Sequence, residues 1–226
     1  MPDDLAGRPV LITSGPTRAD VDAVRYVSNR SSGRLGRRIA LEALARGARV
    51  TLVAGRGSAV PERREVTRSE ADRLTVRRVE TVGDVLAALE PSLSERPPEA
   101  VIHAMAVLDY APEKSAARKT PSGREEWTLR MVRTPKVIRS IREWAPRACL
   151  TQFKLEVGVT RRELTDAALD SLRRNRAEIV VANDLDRIRG ERHPALILDA
   201  AGQVLAEPRT KGAIARSLCH ILAERL

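Results

Sequence analysis

Val10-Leu11-Ile12-Thr13-Ser14-Gly15-Pro16-Thr17-Arg18 begins the decisive stretch of the chain, which runs on through Asp22, Arg25-Tyr26-Val27-Ser28-Asn29-Arg30 and Ser31-Ser32-Gly33-Arg34-Leu35-Gly36. The apolar run 10–13 reads as a buried strand, and the apolar period over about 35–46 reads as an amphipathic helix. The connection between them carries backbone donors, hydroxyls, an amide and guanidinium groups, the parts that hold an anion at a helix N-terminus. Gly15 lets the backbone leave the strand close to a ligand, Gly33 and Gly36 open the helix, and Ser31 and Ser32 add hydroxyls near its positive end. The connection is too long for the tight turn of a dinucleotide site and lacks the G-x-G-x-x-G spacing. Asn29 sits just before this cradle, and its uncharged amide can donate to an acyl oxygen without the cost of burying a charge.

Working outward, further apolar β-rich runs fall at 50–54, 74–79, 100–104, 150–153 and 179–182, with helical periodicity in most of the gaps. This alternation predicts an α/β, Rossmann-like, doubly wound and mainly parallel sheet covered on both faces. Gly47 suits the residue after a helix end, Thr81 can cap a helix through Leu93, and Thr134-Pro135 places Pro at the first position of a helix reaching Trp144. Residues 111–126 have no apolar period and read as a long mobile loop leading to a strand around 127–132. A hairpin over 195–207 forms a β-rich extension, and a closing helix spans about 211–226. Residues 56–73 read as an exposed connection with some helix and are assigned no chemistry. With no repeats and no interdomain linker, residues 1–226 read as one domain.

The formal net charge is +10, a balance that suits nucleic acids and polyanionic small molecules alike. Of the 40 Lys and Arg residues only Lys114, Lys119, Lys136, Lys154 and Lys211 are lysines, so most of the charge is arginine spread over the surface. Cys149 and Cys219 have neither metal-ligand spacing nor disulfide density, no apolar run is long enough for a bilayer, and the N-terminal residues lack a signal-like core. A soluble, cytoplasmic protein is expected, with no membrane partner.

Beyond the opening stretch, Asp109 follows a buried strand at the carboxyl edge, where open α/β sheets bind ligands, and can meet a ribose hydroxyl, a base edge or hydrated Mg2+. His103 reads as a buried strand residue. Lys119 is the best anion contact in the loop, Phe153, the one Phe of the chain, can stack on a base or pack in the core, and Asn183-Asp184 end another strand.

Taken together these residues resemble phosphopantothenoylcysteine synthetase. The shared features are Ile12-Thr13-Ser14-Gly15-Pro16-Thr17-Arg18, Asp22, Val24 to Gly33, Ala106-Val107-Leu108-Asp109-Tyr110, Lys119-Thr120-Pro121-Ser122-Gly123, Thr134-Pro135-Lys136-Val137, Phe153-Lys154-Leu155-Glu156 and Val181-Ala182-Asn183-Asp184. The resemblance implies a dimeric stand-alone ligase that activates the carboxylate of 4′-phosphopantothenate with CTP or ATP and Mg2+, then couples the acyl nucleotidylate to L-cysteine. It implies no FMN, because the flavin-dependent decarboxylase half is absent, and no residue is assigned as a direct metal ligand.

Carried over residue by residue, the resemblance makes Asn29 and Lys119 catalytic. It gives the nucleotide Gly15, Ser31, Ser32, Gly33, Asp109, Thr134, Pro135, Lys136, Val137, Phe153 and Arg174, and phosphopantothenate Arg25, Asn29 and Arg30. The chain departs from the family pattern in three places. Met105 and Leu108 replace smaller residues, a change that can crowd the nucleotide pocket or shift its base preference; Asp170 stands where a second basic residue is usual; and Lys114 competes with Lys119 for the loop position. The rival readings are a Rossmann-like oxidoreductase, a basic nucleic-acid-binding protein and an inactive homologue of the synthetase. The missing glycine fingerprint and the absence of a Tyr-x-x-x-Lys pair count against the first, and scarce aromatics against the second.

Overall fold

The computed structural model describes residues 3–123 and 125–226. An eight-stranded sheet forms the centre, built from β1 (Pro9–Ser14), β4 (Arg49–Gly55), β5 (Leu74–Val79), β6 (Ala100–His103), β9 (Cys149–Glu156), β10 (Ile179–Asp184), β11 (Ala195–Asp199) and β12 (Val204–Ala206). Their order is β12-β11-β10-β9-β6-β1-β4-β5. From β5 to β10 all neighbours are parallel, while β11 and β12 form the antiparallel hairpin expected as a β-rich extension.

Strand alternation divides the apolar residues between two faces. Val10 and Ile12 of β1, with Ala100 and Ile102 of β6, pack with helices α1 (Arg34–Ala45) and α6 (Lys211–Ala223). Leu11 and Val101 face the other way and pack with α3 (Val82–Ser94), α4 (Val137–Trp144) and α5 (Arg161–Asn175). A short α2 (Arg68–Asp72) and a 3-10 turn at Arg63–Glu65 supply the helix expected within the charged 56–73 connection. Among the described residues no helix is long and apolar enough to cross a membrane.

Two ribbons stand off the sheet: β2 (Arg18–Asp20) with β3 (Tyr26–Ser28), and β7 (Tyr110–Pro112) with β8 (Met131–Arg133). The strand expected over 127–132 is thus confined to Met131–Arg133. The preceding residues are drawn instead toward the first ribbon, where Ala116 N donates to Val21 O at 3.0 Å and Trp127 lies under the Arg25 guanidinium. A second expectation also fails. Lys136, not Thr134, is the N-cap of α4, so Pro135 precedes the helix. Thr134 is held outside the helix by its amide on Asp109 O at 3.0 Å and its hydroxyl on Leu108 O, and a residue before Pro resists helical geometry.

Candidate active site

β1 borders β4 on one side and β6 on the other, so the chain leaves β1 toward α1 on one face and reaches β6 through α3 on the opposite face. At this switch point the two carboxyl-end loops diverge and leave a crevice. They are laced together by backbone bonds: Ala104 N to Thr13 O at 3.0 Å, Ala106 N to Gly15 O at 2.8 Å and Thr17 N to Ala106 O at 3.2 Å. The Thr17 hydroxyl accepts from Leu108 N at 2.9 Å. Asn29, exposed at the end of the first ribbon, donates its amide to Ala106 O at 3.2 Å and Val107 O at 3.0 Å. Its amide therefore bridges the two loops, and its carbonyl oxygen accepts no bond among the described residues.

Gly15 has φ +80 and Gly33 φ +70, left-handed values that side chains resist. A Cβ on Gly15 would overlap the Ser58 hydroxyl, and one on Gly33 would stand 2.8 Å from Ser58 Cβ. Gly36 lets α1 press against Ser14, whose hydroxyl donates to Gly33 O at 3.2 Å. Gly33 is the N-cap of α1 with no side-chain cap, so the helix's first N–H groups have no acceptor among the described residues. The hydroxyls of Ser31 and Ser32 also have no partner among the described residues, and Arg30 is exposed.

Asp22 is the buried hub that sequence reading quoted without assigning a role. Its Oδ1 accepts from Val24 N and Arg25 N at 2.9 Å, and its Oδ2 from Arg25 NH1 at 2.9 Å and Thr120 N at 3.0 Å. Burial pushes its carboxyl up, but the amides of Val24, Thr120 and Arg25 and the Arg25 charge outweigh this and hold it below its ordinary value. Through Asp22 the loop expected over 111–126 is fastened to the first ribbon. Arg25 reinforces the clamp by reaching Thr120 O at 3.3 Å and stacking on Trp127, 4.9 Å from the ring centre. Lys119, next to the clamped Thr120, is exposed; Lys114 lines a cleft of about 280 Å³ shared with Val21, Thr120 and Trp127.

On the opposite face, α4 also begins without a side-chain cap. Lys136 Nζ meets Asp109 Oδ1 at 2.6 Å, so the strand-end acid and the 134–137 turn form one group. Val137, by contrast, is buried in the core. Thr13 pairs with His103 and His103 with Gln152, which sets Phe153 one step beyond, level with Ser14. Phe153 packs partly buried on the α1 face. His103 is buried with its Nδ1 2.7 Å from Thr13 Oγ1, and burial pushes its pKa down to about 4.

Met105 and Leu108 are 7% and 8% exposed and belong to the α3–α4–α5 core with Val137 and Ile141. Arg174 occupies the last turn of α5, paired with Asp170 at 3.4 Å. A helix that follows a strand's carboxyl end runs back toward the amino edge, so Arg174 stands roughly 20 Å along α5 from the edge that carries the other candidates. A cavity of about 560 Å³ lies between α5, the end of β10, β11 and the β12–α6 connection; Ala182 and Asp184 of the Val181–Asp184 motif line it, but none of the residues assigned to catalysis or binding does. Sequence reading also missed Ser58, which fills the space between Gly15 and Gly33 from a segment with no motif signal.

The family described as DNA/pantothenate metabolism flavoprotein C-terminal domain matches residues 5–226. The chain belongs to that family. It is 36% identical over 197 residues to the coenzyme A biosynthesis bifunctional protein CoaBC of Thermococcus kodakarensis, covering 87% of this chain and 46% of that protein. It is 28% identical over 233 residues to CoaBC of Mycobacterium tuberculosis, covering 100% of this chain and 52% of the relative. The chain thus spans about half the length of these curated relatives. The crystal structure of the DNA/pantothenate metabolism flavoprotein from Streptococcus pneumoniae superposes with a TM-score of 0.86 at 29% identity, covering 97% of this chain and 100% of that one. The C-terminal domain of CoaBC gives 0.78 at 27% identity, covering 99% and 97%. A Cab2 mutant in complex with phosphopantothenate-cysteine shares the fold, with a TM-score of 0.73 at 19% identity, covering 96% and 87%.

Proposed function

We propose that this family member is a phosphopantothenate–cysteine ligase. The observation that carries the reading is the convergence, at the switch point, of Asn29, the uncapped α1 and the Asp22-clamped loop, in a chain whose relatives are named for coenzyme A biosynthesis. In the first half-reaction a carboxylate oxygen of 4′-phosphopantothenate attacks the α-phosphorus of a nucleoside triphosphate. The bond to pyrophosphate breaks and an acyl nucleotidylate forms. In the second, the cysteine amine attacks the acyl carbon, the carbon–oxygen bond to the nucleotide breaks, and the amine loses a proton.

The uncapped N–H groups of α1, with Ser31, Ser32 and the close-approach glycines Gly15 and Gly33, hold phosphate oxygens in this reading. Asp109, Lys136, the 134–135 turn and Phe153 border the nucleotide, and Arg25 and Arg30 border phosphopantothenate. Asn29 steadies the acyl oxygen as charge develops, moving from its carbonyl partners when substrate arrives. Magnesium fits as the companion of the nucleotide. Among the described residues no group of three His, Cys, Asp or Glu is placed to hold a metal, whereas one carboxylate such as Asp109 together with phosphate oxygens suits Mg2+. Bound there, it spreads the phosphate charge. Lys119 is assigned to nucleotide transfer.

The test is pyrophosphate release with CTP or ATP, each with and without 4′-phosphopantothenate and cysteine. Release that needs phosphopantothenate, and product that needs cysteine, is the expected result; turnover independent of both sinks the reading. Lys119→Gln slows the pyrophosphate burst more than Lys114→Gln does, and the reverse order would transfer the role to Lys114. Sedimentation of the purified chain tests the proposed homodimer.

A further inference from the structure

Ser58 follows β4 in the Gly55-Arg56-Gly57-Ser58 turn, and its backbone is fully used: its N–H donates to Gly55 O at 3.0 Å and its carbonyl accepts from Arg78 NH1 at 2.8 Å. Its side chain is not. Ser58 is 5% exposed, and its buried hydroxyl has no hydrogen-bond partner among the described residues. The hydroxyl is directed at Gly15, and Cβ faces Gly33, the two left-handed glycines of the cradle. The neighbouring Ala59 N donates to Ser32 O at 3.0 Å, which locks this turn to the residues that open α1.

Packing alone does not call for a serine. The tight fit to Gly15 demands a small residue, and alanine would meet that demand without burying an unsatisfied hydroxyl, which costs stability. Two independent features meet at this point: a helix end with no acceptor for its first N–H groups, and a buried hydroxyl with no partner beside it. One phosphate oxygen over the start of α1 satisfies both. We propose that Ser58 is a phosphate-binding residue whose hydroxyl, turned from Gly15 by rotation about Cα–Cβ, donates to the phosphate held by α1. This rests on the ligase reading for the identity of the phosphate, which belongs either to the nucleotide or to phosphopantothenate.

The experiment compares wild type with Ser58→Ala, and with Ser58→Cys as a size-matched weak donor, in steady-state pyrophosphate release and in thermal unfolding. In Ser58→Ala the KM for one phosphate-bearing substrate rises about tenfold, the equivalent of ~1.4 kcal/mol. kcat stays within about twofold, the cysteine KM is unchanged, and the ligand-free midpoint is equal to or above wild type. Whichever KM moves, nucleotide or phosphopantothenate, names the source of the phosphate. Unchanged KM for both overturns the proposal, as does a lowered ligand-free midpoint, which would mean that the hydroxyl has a structural partner. Inorganic pyrophosphate separates this from the ligase reading: it raises the wild-type midpoint more than the Ser58→Ala midpoint even if no turnover with phosphopantothenate is found, and equal shifts refute the role of Ser58.

Discussion

Helices α2, α3, α5 and α6 begin differently from α1 and α4. The first group starts at Thr67, Thr81, Thr160 and Thr210, each hydroxyl accepting from an amide of the first turn. The second group starts at Gly33 and Lys136 with no side-chain acceptor. Where a helix end is purely structural, the neighbouring sequence satisfies it, worth about 1 kcal/mol each time. The two ends left open both follow the loops that line the β1–β6 crevice, one on each face of the sheet. An acceptor from outside the chain is the economical explanation for both.

The largest effect in that comparison belongs to the residue that joins its two sides. Asn29→Ala removes the amide that bridges to Ala106 and Val107 and that is proposed to meet the acyl oxygen. We expect product formation to fall on the order of 100-fold or more, with acyl nucleotidylate accumulating in quenched samples and a thermal midpoint close to wild type. Full product formation without the intermediate would remove Asn29 from the chemistry.

Glycines in the two kinds of helix should respond with opposite signs. A Cβ at Gly36 of α1 would overlap Ser14, while one at Gly83 in the first turn of α3 meets only Thr81 Oγ1 at 3.6 Å. Gly36→Ala should destabilise by about 1–3 kcal/mol through overpacking and weaken phosphate binding with it. Gly83→Ala should be neutral or stabilise by up to roughly 1 kcal/mol. Urea unfolding of both variants decides the matter, and equal effects would mean that the close approach of α1 to β1 is not required.

Caps offer the finer test. Thr160→Ala should cost about 1 kcal/mol and leave turnover unchanged, since α5 is closed by its own Thr160–Glu163 box. Lys136→Ser supplies α4 with the acceptor it lacks and removes the Asp109 partner. We expect that substitution to stabilise the ligand-free protein by about 0.5 kcal/mol while raising the nucleotide KM several-fold. If it leaves the KM unchanged, the open end of α4 is structural.

The fold was legible because it rests on local signals. The strand at 10–13, the helix ending before Gly47, the Thr81 cap and the 195–207 hairpin are each specified within a few residues of themselves. The candidate site was most legible where its motif is contiguous, from Gly15 to Gly36, and more weakly so at the separate positions Asp109, Lys119, Lys136 and Phe153. Ser58 carries no pattern of its own and matters only because the parallel pairing of β1 with β4 sets the turn after β4 beside Gly15. Arg174 shows the opposite case: its place in the order of motifs is the family's, but helix direction sets it in the last turn of α5, away from the carboxyl edge of the sheet. Met105 and Leu108 fall in the core because strand-end residues alternate between the two sides of the chain, and one sequence does not say which phase applies.

A separate prediction concerns two imidazoles that take no part in the proposed chemistry, one under the crevice and one beside the edge hairpin. Burial pushes His103 down to about 4, and burial together with the Lys211 charge pushes His193 down to about 4. An unfolded imidazole titrates near ~6.5, so between these values the unfolded chain binds more protons than the folded one. The stability these neutral rings allow is complete above that range and is lost as pH falls from 6.5 toward 4. The urea midpoint of wild type should therefore decline over this window, by up to about two protons in the linkage slope, with Asp22 and the other paired carboxylates adding to the loss below it. His103→Gln, which keeps a polar partner for Thr13, should flatten the upper part of the decline by about one proton, and an unchanged slope would show that His103 is not held neutral by burial.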